Sequence, residues 1–112
     1  MIELDRIQEE IGAWSKKNFG HEGKTHHPLL GVAEEVGELC HAHLKQEQGI
    51  RGTKEEHEAD AIDAIGDIAI YLMDYCNRRG FSFNDIVWQT WSKVKERDWN
   101  KDRIKGGETS NG

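Results

Sequence analysis

The sequence predicts an all-α protein, and three observations predict it. Apolar residues recur every three or four positions, alternation of the β kind is almost missing, and Pro28 is the only proline. With 112 residues the chain has room for one core. Its 36% hydrophobic content falls below the usual ~45%, and a lone chain of this size buries only about 65% of its unfolded surface. The expectation is therefore a four-helix bundle over residues 1–104, completed by further copies of itself as a homodimer or homotetramer.

Each helix has its own signals. The first runs from about Glu3 to Lys17, with Leu4, Ile7, Ile11 and Trp14 on one face, and Asn18-Phe19-Gly20 ends it. Residues His21 to His27 read as a polar loop, and Pro28 fits the first turn of the second helix. That helix carries Leu29, Val32, Val36, Leu39, Cys40 and Leu44 and stops near Gly49. Thr53 and Glu56 form a capping box for the third helix, which continues through Ile62, Ile65, Ile68, Leu72 and Cys76 to Gly80. Ser82 caps the fourth, with Phe81 stapled to Ile86 and an apolar stripe through Phe83, Val87, Trp91 and Val94. From residue 105 the tail has nothing to bury and reads as disordered.

Composition excludes several roles. Asp and Glu number 21 against 15 Lys and Arg, a net charge of −6, which argues against coating DNA or RNA or lying on a membrane surface. No apolar run approaches the ~18 residues of a membrane span, and the N-terminus lacks a leader's basic and apolar regions. Cys40 and Cys76 sit in apolar stripes, without CxxC spacing, and read as reduced core cysteines of a cytoplasmic protein.

The acids are not scattered. At about 100° per residue, Asp60, Asp63 and Asp67 fall within about 60° of one another on the third helix, and Glu56 and Asp74 extend the row. Like charges at i,i+4 cost a helix a few tenths of a kcal/mol, so such a row is either a solvated face or a cation site. The apolar run around Asp67 predicts its partial burial and favours the cation site. The second helix offers Glu34, Glu35 and Glu38 within two turns, and Gly37 beside them to admit a close neighbour. Carboxylates from two antiparallel helices suit Mg²⁺ or Mn²⁺, with a polyphosphate completing the coordination.

Glu34-Glu35-Val36-Gly37-Glu38-Leu39, followed by Asp67-Ile-Ala-Ile-Tyr-Leu72, resembles the MazG-like all-α nucleoside triphosphate pyrophosphohydrolases. Their pattern is EExxE on one helix and ExxD on the next, and the likeness covers roughly residues 4 to 100. It implies a Mg²⁺-dependent enzyme that cleaves nucleoside triphosphates to monophosphate and pyrophosphate. Glu34, Glu35 and Glu38 would serve the catalytic step, with Glu35, Glu38, Asp63 and Asp67 as metal ligands. One departure stands out: the Glu expected three residues before Asp67 is Ala64. Asp63 takes its place at i,i+4, with Asp60 as an outer ligand; the other registration, Asp60-Ala-Ile-Asp63, keeps the i,i+3 spacing but loses the Ile-Tyr-Leu context.

The resemblance also implies substrate contacts from Lys93 and Arg97, although the Asn often found after that Lys is Val94 here. Both also have an ordinary reading as cations complementing a helix C-terminus. Trp14 stands where the family stacks an aromatic on the nucleobase; core or interface packing is the other reading, and Trp91 fits the core. Glu38-Leu-Cys-His41 spells E-x-x-H, but a di-iron site needs a second copy of it, which the chain does not have. Walker A and GxSxG motifs are missing as well. The rival of another class is a non-catalytic bundle that senses nucleotides or binds protein, and Ala64 is the feature that feeds it.

Overall fold

A computed structural model describes residues 2–20 and 24–102. Among these it is all-helical: α1 (Ile2–Phe19), α2 (His26–Gln48), α3 (Lys54–Arg79), α4 (Phe83–Val94) and a single turn, α5 (Trp99–Asp102). Strands are not found among the described residues, and none of the helices is long and apolar enough to cross a membrane. Residues 105–112, expected to form a loose tail, lie outside the described residues, as do residues 21–23 of the loop before α2.

The helix ends follow local chemistry. Gly20 has φ +80° and its N–H bonds the Lys16 carbonyl at 2.8 Å, ending α1 where a side chain would be strained. Gly49 and Gly80 close α2 and α3 in the same left-handed conformation. At the start of α3 both arms of the capping box are made: Glu56 N–H to Thr53 Oγ1 at 3.0 Å, and Thr53 N–H to Glu56 Oε1 at 2.8 Å. Ser82 Oγ accepts from Asp85 N–H at 3.2 Å and caps α4. Glu56 is thus occupied as a cap instead of extending the acidic row.

The long antiparallel pair α2/α3 is the body of the molecule, and α1 packs against the C-terminal half of α3. Two contacts fix the pair. His57, buried at the start of α3, donates from Nε2 to the Ile50 carbonyl at 2.9 Å and holds the α2–α3 loop closed. Near the other end the Tyr71 ring lies flat against Gly31, where a Cβ would sit 2.4 Å from a ring carbon. The close-approach glycine is therefore Gly31; Gly37, expected to admit a neighbour, has nothing within 4 Å of a Cβ.

Gln8 latches α1 to the α3–α4 turn. Its Nε2 donates to Asn77 Oδ1 at 3.0 Å and to the Phe81 carbonyl at 2.9 Å, and its Oε1 accepts from Phe83 N–H at 2.9 Å. Asn77 Nδ2 returns a bond to the Gln8 carbonyl at 3.0 Å, so a buried amide is satisfied on every side.

What this framework buries is thin. Among the described residues the buried hydrophobic ones are Ile11, Ala42, Ala64, Met73 and Cys76, with Pro28 closing the start of α2. The radius of gyration is 17.8 Å, against about 13 Å for a compact domain of this length. Three expectations are corrected here. Cys40 is exposed although it sits in an apolar stripe, Trp91 of the α4 stripe is half exposed, and Asp67 is exposed despite its apolar neighbours in sequence. The physical reason is common to all three: the stripes exist, but within one chain nothing packs on large parts of them.

Placing a methyl at Gly31 tests the α2/α3 contact. Gly31→Ala should lower stability by about 1–3 kcal/mol through overpacking against Tyr71, read by urea denaturation. Gly37→Ala, with open space and a gain in helix propensity, should stabilise by up to about 1 kcal/mol.

Candidate functional site

The α2/α3 pair is two-faced. At 100° per residue, Glu34, Glu38 and His41 of α2 and Asp60, Asp63 and Asp67 of α3 point to one side of the layer. Leu29, Val36 and Cys40 of α2 and Ile62 and Ile65 of α3 point to the other. Because the helices run antiparallel, the two acidic rows meet along their seam. There they form a cleft of about 290 Å³ lined by Glu35, Glu38, His41, Ala42, Asp60, Asp63 and Asp67.

The structure therefore brings together Glu35, Glu38, Asp63 and Asp67 of the expected ligand set. Asp60 belongs to the same lining on equal terms. His41 is the addition that sequence reasoning missed as a member of this site: the search for a second E-x-x-H set it aside, although it stands one turn after Glu38. Ala64, where the family pattern has Glu, is buried against α2. A carboxylate at that position would face the helix seam, so the acids of this cleft come from the two flanking registers instead.

Other expected residues stand elsewhere. Glu34 lines a neighbouring cleft of about 400 Å³ with His27, Leu30, Gly31 and Tyr71. Trp14, 55% exposed, edges an apolar slot with Ile7, Glu10, Ile11 and Ile70. Lys93, in the last turn of α4, and Arg97 beyond it are both exposed. Helix α4 packs on α1 and α3 and not on α2, so one chain does not bring these two cations to the acidic seam through helix packing.

Electrostatics mark the seam as strained by its own charge. Partial burial raises the Glu35 carboxyl above its ordinary value, and the negative charges of Asp67, Glu38 and Glu34 push it further in the same direction. Asp67 acts here across the helix pair. No three His, Cys, Asp or Glu side chains among the described residues stand close enough together to hold a metal ion as they are. Mutual repulsion is reason enough for like charges to stand apart. The donor set itself, five carboxylates and one imidazole, fits a hard divalent cation that prefers oxygen. Comparison with known protein families, with curated proteins and with solved structures finds no match to this chain.

The raised Glu35 carboxyl has a definite consequence for stability. A carboxyl whose folded pKa is raised holds its proton more tightly in the folded chain, so its contribution falls as pH rises through the folded pKa. In EDTA, Glu35→Gln should raise the melting temperature at pH 7. That gain should shrink as pH falls toward 4.5, the ordinary value for this group. Thermal unfolding followed by circular dichroism across this range checks both the sign and its pH dependence.

Proposed function

We propose that this chain is a metal-dependent hydrolase that splits a nucleoside triphosphate into the monophosphate and pyrophosphate. The substrate would be a deoxynucleotide or a modified nucleotide, and the role the clearing of unwanted nucleotides from the pool. The observation that carries the reading is the convergence of Glu35, Glu38, Asp60, Asp63 and Asp67 from two helices on one cleft. The order and spacing of the two acidic motifs, which resemble those of the MazG-like enzymes, give that cleft its chemistry.

In this reading Glu35, Glu38, Asp63 and Asp67 would hold Mg²⁺, with Mn²⁺ as a substitute, and His41 and Asp60 line the same cleft. Such a cation would supply neutralisation of phosphate charge and a lowered pKa for an attacking water. A carboxylate of the Glu34, Glu35 and Glu38 group takes a proton from that water as its oxygen bonds to the α-phosphorus. The bond from that phosphorus to the α–β bridging oxygen breaks, and its electron pair leaves with pyrophosphate. Substrate phosphates would complete its coordination, since Mg²⁺ is ordinarily held by few protein carboxylates at once. Trp14 offers an exposed ring for the base, and the resemblance assigns Lys93 and Arg97 to the phosphates, which within one chain they do not approach through helix packing.

The same reading takes the chain to act as a homodimer or homotetramer. The side of the α2/α3 layer away from the acids exposes Val36 at 44%, Ile62 at 62% and Ile65 at 57%. Exposed apolar residues gathered on one face in this way suit an interface between copies. A second copy laid on it, face to same face, would form a symmetric four-helix core and leave both acidic seams open to substrate.

Purified protein with Mg²⁺ or Mn²⁺ and a panel of ordinary and modified triphosphates should release pyrophosphate. Glu38→Gln and Asp67→Asn should each lower kcat/KM by more than about 100-fold, beyond the loss typical of residues that only support a ligand, while helical content stays intact. Absence of pyrophosphate release with every substrate and both metals overturns the enzyme reading in favour of a non-catalytic nucleotide-sensing or protein-binding module.

A further inference from the structure

A cleft larger than the acidic seam, about 770 Å³, lies between the C-terminal halves of α1 and α3, and its charged lining is Lys16, Lys17 and Arg78 against Glu9 and Asp74. It continues the acidic groove: Asp63, Asp67, Asp74 and Arg78 fall within about 60° on one side of α3. From Asp67 the row reaches Asp74 after about 10 Å and Arg78 after about 16 Å of helix. On an otherwise acidic side of the molecule, the charge changes sign here.

Arg78 is built in. Its side chain is 14% exposed, Nη2 donates to the buried Ser15 hydroxyl at 3.0 Å, and Nε lies 3.5 Å from Asp74 Oδ2. Nε is buried without a hydrogen-bond partner, so the guanidinium is positioned by its neighbours more than it is satisfied by them. A fixed guanidinium plane is the form of cation that recognises phosphate oxygens. Lys16 and Lys17 add two exposed ammonium groups, more than the roughly half negative charge at the end of α1 that they also face.

We propose that this cleft binds the pyrophosphate portion of the ligand, with Lys16, Lys17 and Arg78 as its cations. The proposal rests on reading the acidic seam as the metal–phosphate site, and it assigns the polyphosphate end to a cleft on the same side of α3. Lys93 and Arg97 are then not needed for that contact within one chain. Their helix does not pack on α2.

The two halves can be separated by removing the metal. Without a divalent cation the five carboxylates of the seam repel pyrophosphate, so any binding in EDTA reports the cationic cleft. Calorimetric titration of inorganic pyrophosphate into the full-length protein in EDTA should show saturable binding. The double variant Lys16→Glu/Lys17→Glu, altered only at exposed positions, should weaken it by about tenfold or more. Asp67→Asn should not weaken it. With Mg²⁺ and a substrate that is hydrolysed, the double variant should raise KM by a similar factor. No pyrophosphate binding to the wild type in EDTA, or unchanged affinity in the double variant, overturns the proposal. Wild-type protein that binds pyrophosphate in EDTA yet hydrolyses no nucleotide leaves the cleft standing and removes the hydrolase reading alone.

Discussion

Everything about this molecule depends on the antiparallel pairing of α2 with α3. The pairing is close because Gly31 has no side chain and Tyr71 lies against its backbone, and it is closed at the loop by His57 on the Ile50 carbonyl. Once the two helices are in register, their acidic rows must share one face and their apolar rows the other. The charge concentration follows from this geometry, and partial burial together with the neighbouring charges raises the Glu35 carboxyl above its ordinary value. Five carboxylates gathered on one seam are the donor set that the proposed cation site requires.

The second consequence is that one chain leaves much of its apolar surface uncovered. Helix α1 covers the C-terminal half of α3, and the Gln8–Asn77 latch secures it there. The N-terminal half, with Ile62 and Ile65, and the matching stripe of α2 are left open, and α4 contributes no buried residue. Marginal stability is the rule for small domains, and the few buried side chains found among the described residues do little to relieve it. The apolar face opposite the acids and the acidic seam are thus two sides of one layer, one suited to a copy of itself and the other to a charged ligand.

Much of this was legible in the sequence, and the pattern of misses is instructive. Helix ends were readable because they are set by two or three adjacent residues: the Thr53/Glu56 box, the Ser82 cap and the Gly20 stop all form as local rules require. The acidic pairing was readable because helical periodicity fixes which residues share a face. Burial was not, because periodicity says which way a residue points and not whether anything is there to meet it. Cys40 and Trp91 are exposed for that reason. Asp67 is exposed because its apolar neighbours in sequence point around the helix and away from it. Gly31 and Gly37 look alike in sequence, and only the position of Tyr71 on the other helix separates them.

The central claim is that the seam between α2 and α3 is a divalent-cation site, and paramagnetic broadening by Mn²⁺ tests it most directly. In amide spectra of the metal-free protein, substoichiometric Mn²⁺ should broaden the signals of residues 35–42 and 60–67 first and together. Early broadening instead at other acids, such as Glu9 or Glu55, or uniform loss across all exposed carboxylates, would contradict the account.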